Sequence, residues 1–287
     1  MENVPISHPI KIFTIGGVIA LMFFLPPRTV VNLYIVLGLS HFLLTYWYQM
    51  NAGKLSGLFF YIQIIIGLIL FSLISFYYPD TFVSLGIFAF AALYFLIHLL
   101  LDERYLFNQP LSFLFFLNIM PTLFLYFGLV IDFAFQYQTI IFLRLGAFFV
   151  FILNSMLLLF HYKRAEGGTY YYMFLNIILF LLSFITTKVA FPFVFGGIVL
   201  YHYAIWYIFY FLRLKNNKEK RRAYLQRVFV VNVLFIFLYM LYTYFDAKIF
   251  NEVLGYFFVP TFFYLWTLLH VVFTTRVSDI KILIRSL

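Results

Sequence analysis

The sequence predicts an all-α, multi-pass transmembrane helical bundle in which residues 1–287 form a single integral membrane domain. Three observations predict it: the composition, the length of the uninterrupted apolar runs, and the distribution of Lys and Arg between them. Of the 287 residues, 65% are hydrophobic, 24% aromatic and only 10% charged, whereas soluble domains average about 45–50% apolar and about 25% charged. A water-facing surface needs roughly a quarter to a third of its positions charged; 19 Lys and Arg with 10 Asp and Glu cannot supply it. The apolar runs last roughly 16–25 residues, the length an α-helix needs to cross about 30 Å of hydrocarbon at about 1.5 Å per residue.

Taken in order, the predicted spans are 11–25, 29–50, 56–78, 81–101, 111–131, 138–161, 169–189, 191–212, 224–245 and 254–273, about ten helices. Each is bounded by a short polar break. Pro26-Pro27-Arg28 ends the first, Gln49 to Lys54 the second, Tyr78-Pro79-Asp80 the third and Asp102 to Pro110 the fourth. Asp132 to Gln138, Tyr162 to Gly168, Lys188 to Pro192, Arg213 to Arg222 and Asp246 to Glu252 separate the rest. Met1–Lys11 has no basic cluster before its apolar stretch and no small-residue cleavage pattern after it, so the first hydrophobic segment is expected to stay rather than act as a signal peptide. A membrane β-barrel requires strands that alternate apolar and polar, but Leu58 to Ile66 is apolar on both faces.

Loops rich in Lys and Arg prefer the cytoplasmic side. The longest polar loop carries Arg213, Lys215, Lys218, Lys220, Arg221, Arg222 and Arg227. Placing it inside, with alternating helices, puts all but Arg28, Arg144, Lys188 and Lys248 on the inner side and predicts both termini to be cytoplasmic. The net charge of +9 therefore points to topology and to anionic lipid head groups at Arg213–Arg227. A nucleic-acid partner is not expected, since about a dozen residues hold no recognition fold. The location expected for such a chain is an inner or plasma membrane.

With no cysteine in the chain, disulfides, thiolate nucleophiles, Cys-ligated zinc and iron–sulfur clusters are excluded. The sequence also lacks a Walker A loop, a His-Glu-x-x-His motif, a dinucleotide glycine pattern and a Gly-x-Ser-x-Gly nucleophile elbow. Asp102-Glu103, beside Arg104, reads as a solvated helix terminus.

The histidines are the informative residues, because an ionisable group inside a bilayer is costly and tends to face a partner, cavity or functional pathway. Five of the six, His41, His98, His161, His202 and His270, fall in or at the ends of predicted spans, each in the half nearer the inner side. Imidazoles at similar depth on different helices can converge on one metal ion. His161 beside Tyr162-Lys163-Arg164 also fits an ordinary interfacial residue, and His8 precedes the first span.

His41 in Gly38-Leu39-Ser40-His41, His98 in Leu96-Ile97-His98, His202 in Leu200-Tyr201-His202-Tyr203 and His270 in Leu268-Leu269-His270 follow an order that resembles the Brp/Blh-like membrane beta-carotene cleavage dioxygenases. The resemblance implies His-bound non-haem iron (Fe2+) and oxidative cleavage of a carotenoid-like or other apolar lipid. It further implies that His41, His98, His202 and His270 ligate the metal, that Glu103 supports one of them, and that Tyr201, Tyr203 and Trp206 line the substrate site. The chain departs from the family pattern at Ser40 and Phe42, which replace the residues flanking the first His, and at Trp206, which stands where a second His would follow His202.

Other classes fit the same residues. A multi-pass transporter or channel without metal chemistry would use polar residues such as Asn32, Gln63, Asn118, Asp132, Arg144, Asn154, Asn176 and Asn232, with breaks at Pro121 and Gly196-Gly197. Two facing His would suit a haem carrier. A non-catalytic membrane scaffold would tolerate loss of every intramembrane His.

Overall fold

A computed structural model describes residues 6–51, 58, 61, 62, 65, 66, 69, 95, 98, 101, 102, 105, 106, 148, 149, 152, 156, 187–245 and 248–274. Among them are six helices: α1 (His8–Phe24), α2 (Pro27–Asn51), α3 (Thr187–Arg213), α4 (Lys218–Tyr244), α5 (Lys248–Phe258) and α6 (Pro260–Thr274). The scattered residues between 58 and 156 are helical as well, and no strand occurs among the described residues.

The helix boundaries follow from local chemistry. Pro9 opens α1, and at its end Leu25 turns extended before Pro26-Pro27, which cannot donate to a continuing helix. Asn217 caps α4 by accepting a hydrogen bond from the Lys220 backbone N–H at 2.9 Å, with Glu219 in the first turn.

Several expectations need correction. Among the described residues, two helices are long and apolar enough to cross a membrane, Arg28–Asn51 and Lys218–Tyr244, so the count of ten spans is not supported. The single span expected at 254–273 is two helices, α5 and α6, broken at Val259. Pro260 explains the break: it lacks an N–H and disfavours helical geometry in the residue before it. Conversely, α3 runs unbroken through Lys188 and Pro192, where a break was expected, and through Gly196-Gly197, where a transporter would have used one. The polar loop expected from Arg213 to Arg227 shrinks to residues 214–217, because Lys218 to Arg227 already belong to α4. The spans expected at 56–78, 81–101, 111–131, 138–161 and 169–189 lie wholly or largely outside the described residues.

The chain divides into two compact units, the first being Met1–Val31, Leu96–Ile205 and Thr275–Leu287, and the second Asn32–Phe95 and Trp206–Thr274. In the first unit, α1 buries Lys11, Thr14, Ile15 and Met22 along one face. Lys11, expected at the cytoplasmic border, is only 1% exposed. The Ile6 backbone N–H donates to the Leu106 carbonyl at 2.9 Å, tying the chain ahead of α1 to the stretch that carries His98 and Asp102.

In the second unit, α2 packs on α6. Tyr34 and Phe42 both meet Phe263, at ring separations of 5.6 and 5.8 Å. The Tyr224 hydroxyl of α4 donates to the Tyr207 carbonyl at 3.1 Å, pinning α4 to α3 within this unit. Beyond Tyr224, α4 presents Phe229, Val230, Phe237, Met240 and Tyr244 outward, all more than half exposed. Little of its surface is buried, and it is long and apolar enough to cross a membrane.

Candidate metal centre

His98 and Asp102 are one helical turn apart, so their side chains share a face. In the first unit α3 brings His202 against that face. Asp102 Oδ2 lies 2.9 Å from His202 Nδ1 and 3.6 Å from His98 Nε2. The two imidazole rings are 5.1 Å apart and inclined at 65°. All three residues are buried, Asp102 to 6% and His202 to 1% of full exposure. One ligand atom from each lies within 4.8 Å of the other two.

These separations can be tested against coordination chemistry. Two donors each about 2.1 Å from one ion stand about 3.0 Å apart at a right angle and about 3.4 Å apart at the tetrahedral angle. The observed 2.9 and 3.6 Å bracket that range. Two imidazoles and one carboxylate are a donor set associated with non-haem iron that keeps coordination positions open. A haem between the two rings would hold their centroids more than about 6 Å apart, given metal–nitrogen bonds of about 2 Å on each side. At 5.1 Å the pair is too close for it.

The second unit holds the other two expected ligands. His41 on α2 and His270 on α6 are buried with ring centres 5.1 Å apart. Phe42 stacks on His270 at 4.5 Å, Tyr46 meets its edge at 6.0 Å, and Tyr207 lies 6.1 Å from His41. Ser40 at the first His is buried and satisfied by donating to the Val36 carbonyl at 3.0 Å.

The structure thus joins His98 with His202 and His41 with His270, each pair inside its own unit. Asp102 was expected to be a solvated helix end and is instead a buried partner of two imidazoles. The signal that finds it is the four-residue spacing from His98, which places both groups on one face, whereas Glu103 is displaced by about 100° around a helix. Glu103 and His161 lie outside the described residues. Of the expected wall residues, Tyr203 is buried and lies 5.5 Å from the His202 ring, Tyr201 is half-buried, and Trp206 packs with Phe209 and Tyr210 in the second unit. Among the polar residues expected to mark a pathway, Asn232 donates to its own helix at Val228 O, 2.7 Å away. Gln63, Asn118, Pro121, Asp132, Arg144, Asn154 and Asn176 lie outside the described residues.

No protein-family model, curated protein or solved structure matches this chain.

Proposed function

We propose that the protein is an integral membrane, metal-dependent oxygenase-like enzyme acting on a carotenoid-like or other apolar lipid. The observation that carries the reading is the buried His98–Asp102–His202 group, whose donor separations suit one metal ion. His98 and His202 would supply neutral nitrogen donors, and Asp102 an anionic oxygen that offsets the charge of a cation taken out of water. Ferrous iron bound there would supply redox chemistry toward dioxygen that these side chains lack. Tyr203, buried beside His202, helps exclude water.

Membrane residence is supported by α4, whose apolar residues are almost all unburied. It is neither a buried core helix nor near the N-terminus. On this reading the basic residues from Arg213 to Arg227 face anionic head groups of an inner or plasma membrane. Arg213 over Phe209 at 5.9 Å and Arg221 over Phe211 at 5.2 Å hold part of that charge against aromatic rings. The ordered His-bearing helices, similar to those of the Brp/Blh-like dioxygenases, supply the substrate class. A transporter using the buried Lys11 and Asp102 along a pathway is the alternative.

The test is the metal content and optical spectrum of detergent-purified protein, compared with His98→Ala, Asp102→Ala and His202→Ala, and with His41→Ala and His270→Ala. Near-stoichiometric iron without a Soret band, lost in the first three variants, is expected. A folded wild type that takes up no transition metal overturns the enzyme reading in favour of transport.

A further inference from the structure

We propose that the groove between the end of α4 and the start of α5 binds the head group of a zwitterionic phospholipid that carries a primary ammonium. This rests on the membrane reading above. Residues 228–245 contain no charged side chain over 18 positions, a rise of about 27 Å at about 1.5 Å per residue, close to the about 30 Å of a hydrocarbon core. With Arg227 at one boundary, Tyr242 and Tyr244 reach the other, the level where aromatic side chains collect. Lys248, Asn251 and Glu252 follow within the next two turns of chain, at head-group depth.

The break at Val259 makes α5 a separate short helix rather than the start of a spanning one. Its apolar residues are used inward. Phe258 packs on Tyr239 and Tyr242 at 5.3 and 5.7 Å, and Phe257 stacks on Trp266 at 5.8 Å. The Trp266 indole N–H donates to the Tyr256 carbonyl at 3.1 Å, fixing α5 to α6. Lys248, Asn251 and Glu252 stand at i, i+3 and i+4, on one face.

That face and Tyr242 line an open surface groove of about 630 Å³. Its chemistry is mixed in a specific way. Lys248 offers a cation and Glu252 an anion, both exposed. Among the described residues neither is in an ion pair, although one turn separates them. A phosphate–ammonium dipole complements both charges: phosphate to Lys248, ammonium to Glu252. A primary ammonium donates N–H hydrogen bonds to the carboxylate, which a quaternary one cannot. An anionic head group without an amine would leave Glu252 facing like charge.

The experiment uses the delipidated full-length chain in detergent, titrated by native mass spectrometry with phosphatidylethanolamine, phosphatidylcholine and phosphatidylglycerol of identical acyl chains, and with soluble phosphoethanolamine. The wild type is expected to prefer phosphatidylethanolamine. Glu252→Gln should abolish the preference, and Lys248→Ala should weaken all three lipids about tenfold, the value of one charge-assisted hydrogen bond. Equal phosphatidylethanolamine affinity in wild type and both variants, or no head-group preference in the wild type, overturns the proposal. Tight binding of phosphoethanolamine alone, without the lipid, also overturns it, by assigning the groove to a free solute. A chain that purifies without detergent would remove the membrane reading itself; a detergent-dependent chain that loads iron but shows no lipid preference would remove only the head-group site.

Discussion

Asp102 concentrates the chemistry of the first unit at one carboxylate. Oδ2 sits 2.9 Å from one imidazole nitrogen and 3.6 Å from another, in surroundings that leave the residue 6% exposed. Loss of a group that merely supports a metal ligand costs about 10–100-fold in affinity, so loss of a direct ligand costs at least about 100-fold. If Asp102 ligates the proposed metal, Asp102→Ala should release it at chelator concentrations that leave the wild type loaded, as read by competition titration. An unchanged chelator midpoint would make Asp102 an ion-pair partner of the histidines and nothing more. In the second unit, Phe42 stacks on both His270 and Phe263. Phe42→Ala empties a buried site and removes both stacks, and should lower stability by about 3 kcal/mol, measured by chemical unfolding in mixed micelles.

Elements in the first unit approach closely at Gly197. A Cβ added there would lie 2.7 Å from Met22 Sδ and 3.2 Å from Met22 Cε, so α1 and α3 meet where one of them has no side chain. The opposing atoms are the far end of a flexible chain. Gly197→Ala should accordingly cost less than about 1 kcal/mol, while Gly197→Leu cannot be absorbed by one Met rotamer and should cost about 3 kcal/mol or more. Thermal denaturation of the two detergent-solubilised variants separates these outcomes. Equal melting would mean that α1 moves away from α3 without penalty. The α3–α4 junction rests on Tyr224, whose hydroxyl bond to Tyr207 O crosses between helices at 3.1 Å. Tyr224→Phe removes it and should lose about 1 kcal/mol in the same measurement.

For the whole molecule, orientation is the testable quantity, and the absence of cysteine makes the native chain ready for it. Lys218 begins α4 in the basic turn and Lys248 begins α5 beyond its far end, both exposed. Lys218→Cys should react with an impermeant maleimide only from the cytoplasmic side, and Lys248→Cys only from the opposite side. Labelling of both from one side would mean that α4 lies along the membrane rather than across it. The charge pattern sets the expected sign: Arg213, Lys215, Lys218, Lys220, Arg221 and Arg222 cluster at one end of the helix, while the other end has Asp246, Lys248 and Glu252.

The sequence by itself determined the helical class, the near-correct limits of α1, α2 and the charge-free part of α4, and the choice of histidines as the residues to follow. Those features depend on local quantities: apolar run length, proline punctuation, and the cost of placing imidazole in an apolar segment. Only the tertiary structure decided which histidines pair, that Asp102 is buried between two of them, that Lys11 is buried, and that the last predicted span divides at Pro260. Pairing depends on which helix faces meet across long sequence separations, His98 with His202 and His41 with His270. An apolar stretch reads the same whether it packs on protein or lipid, so composition carries no record of those neighbours.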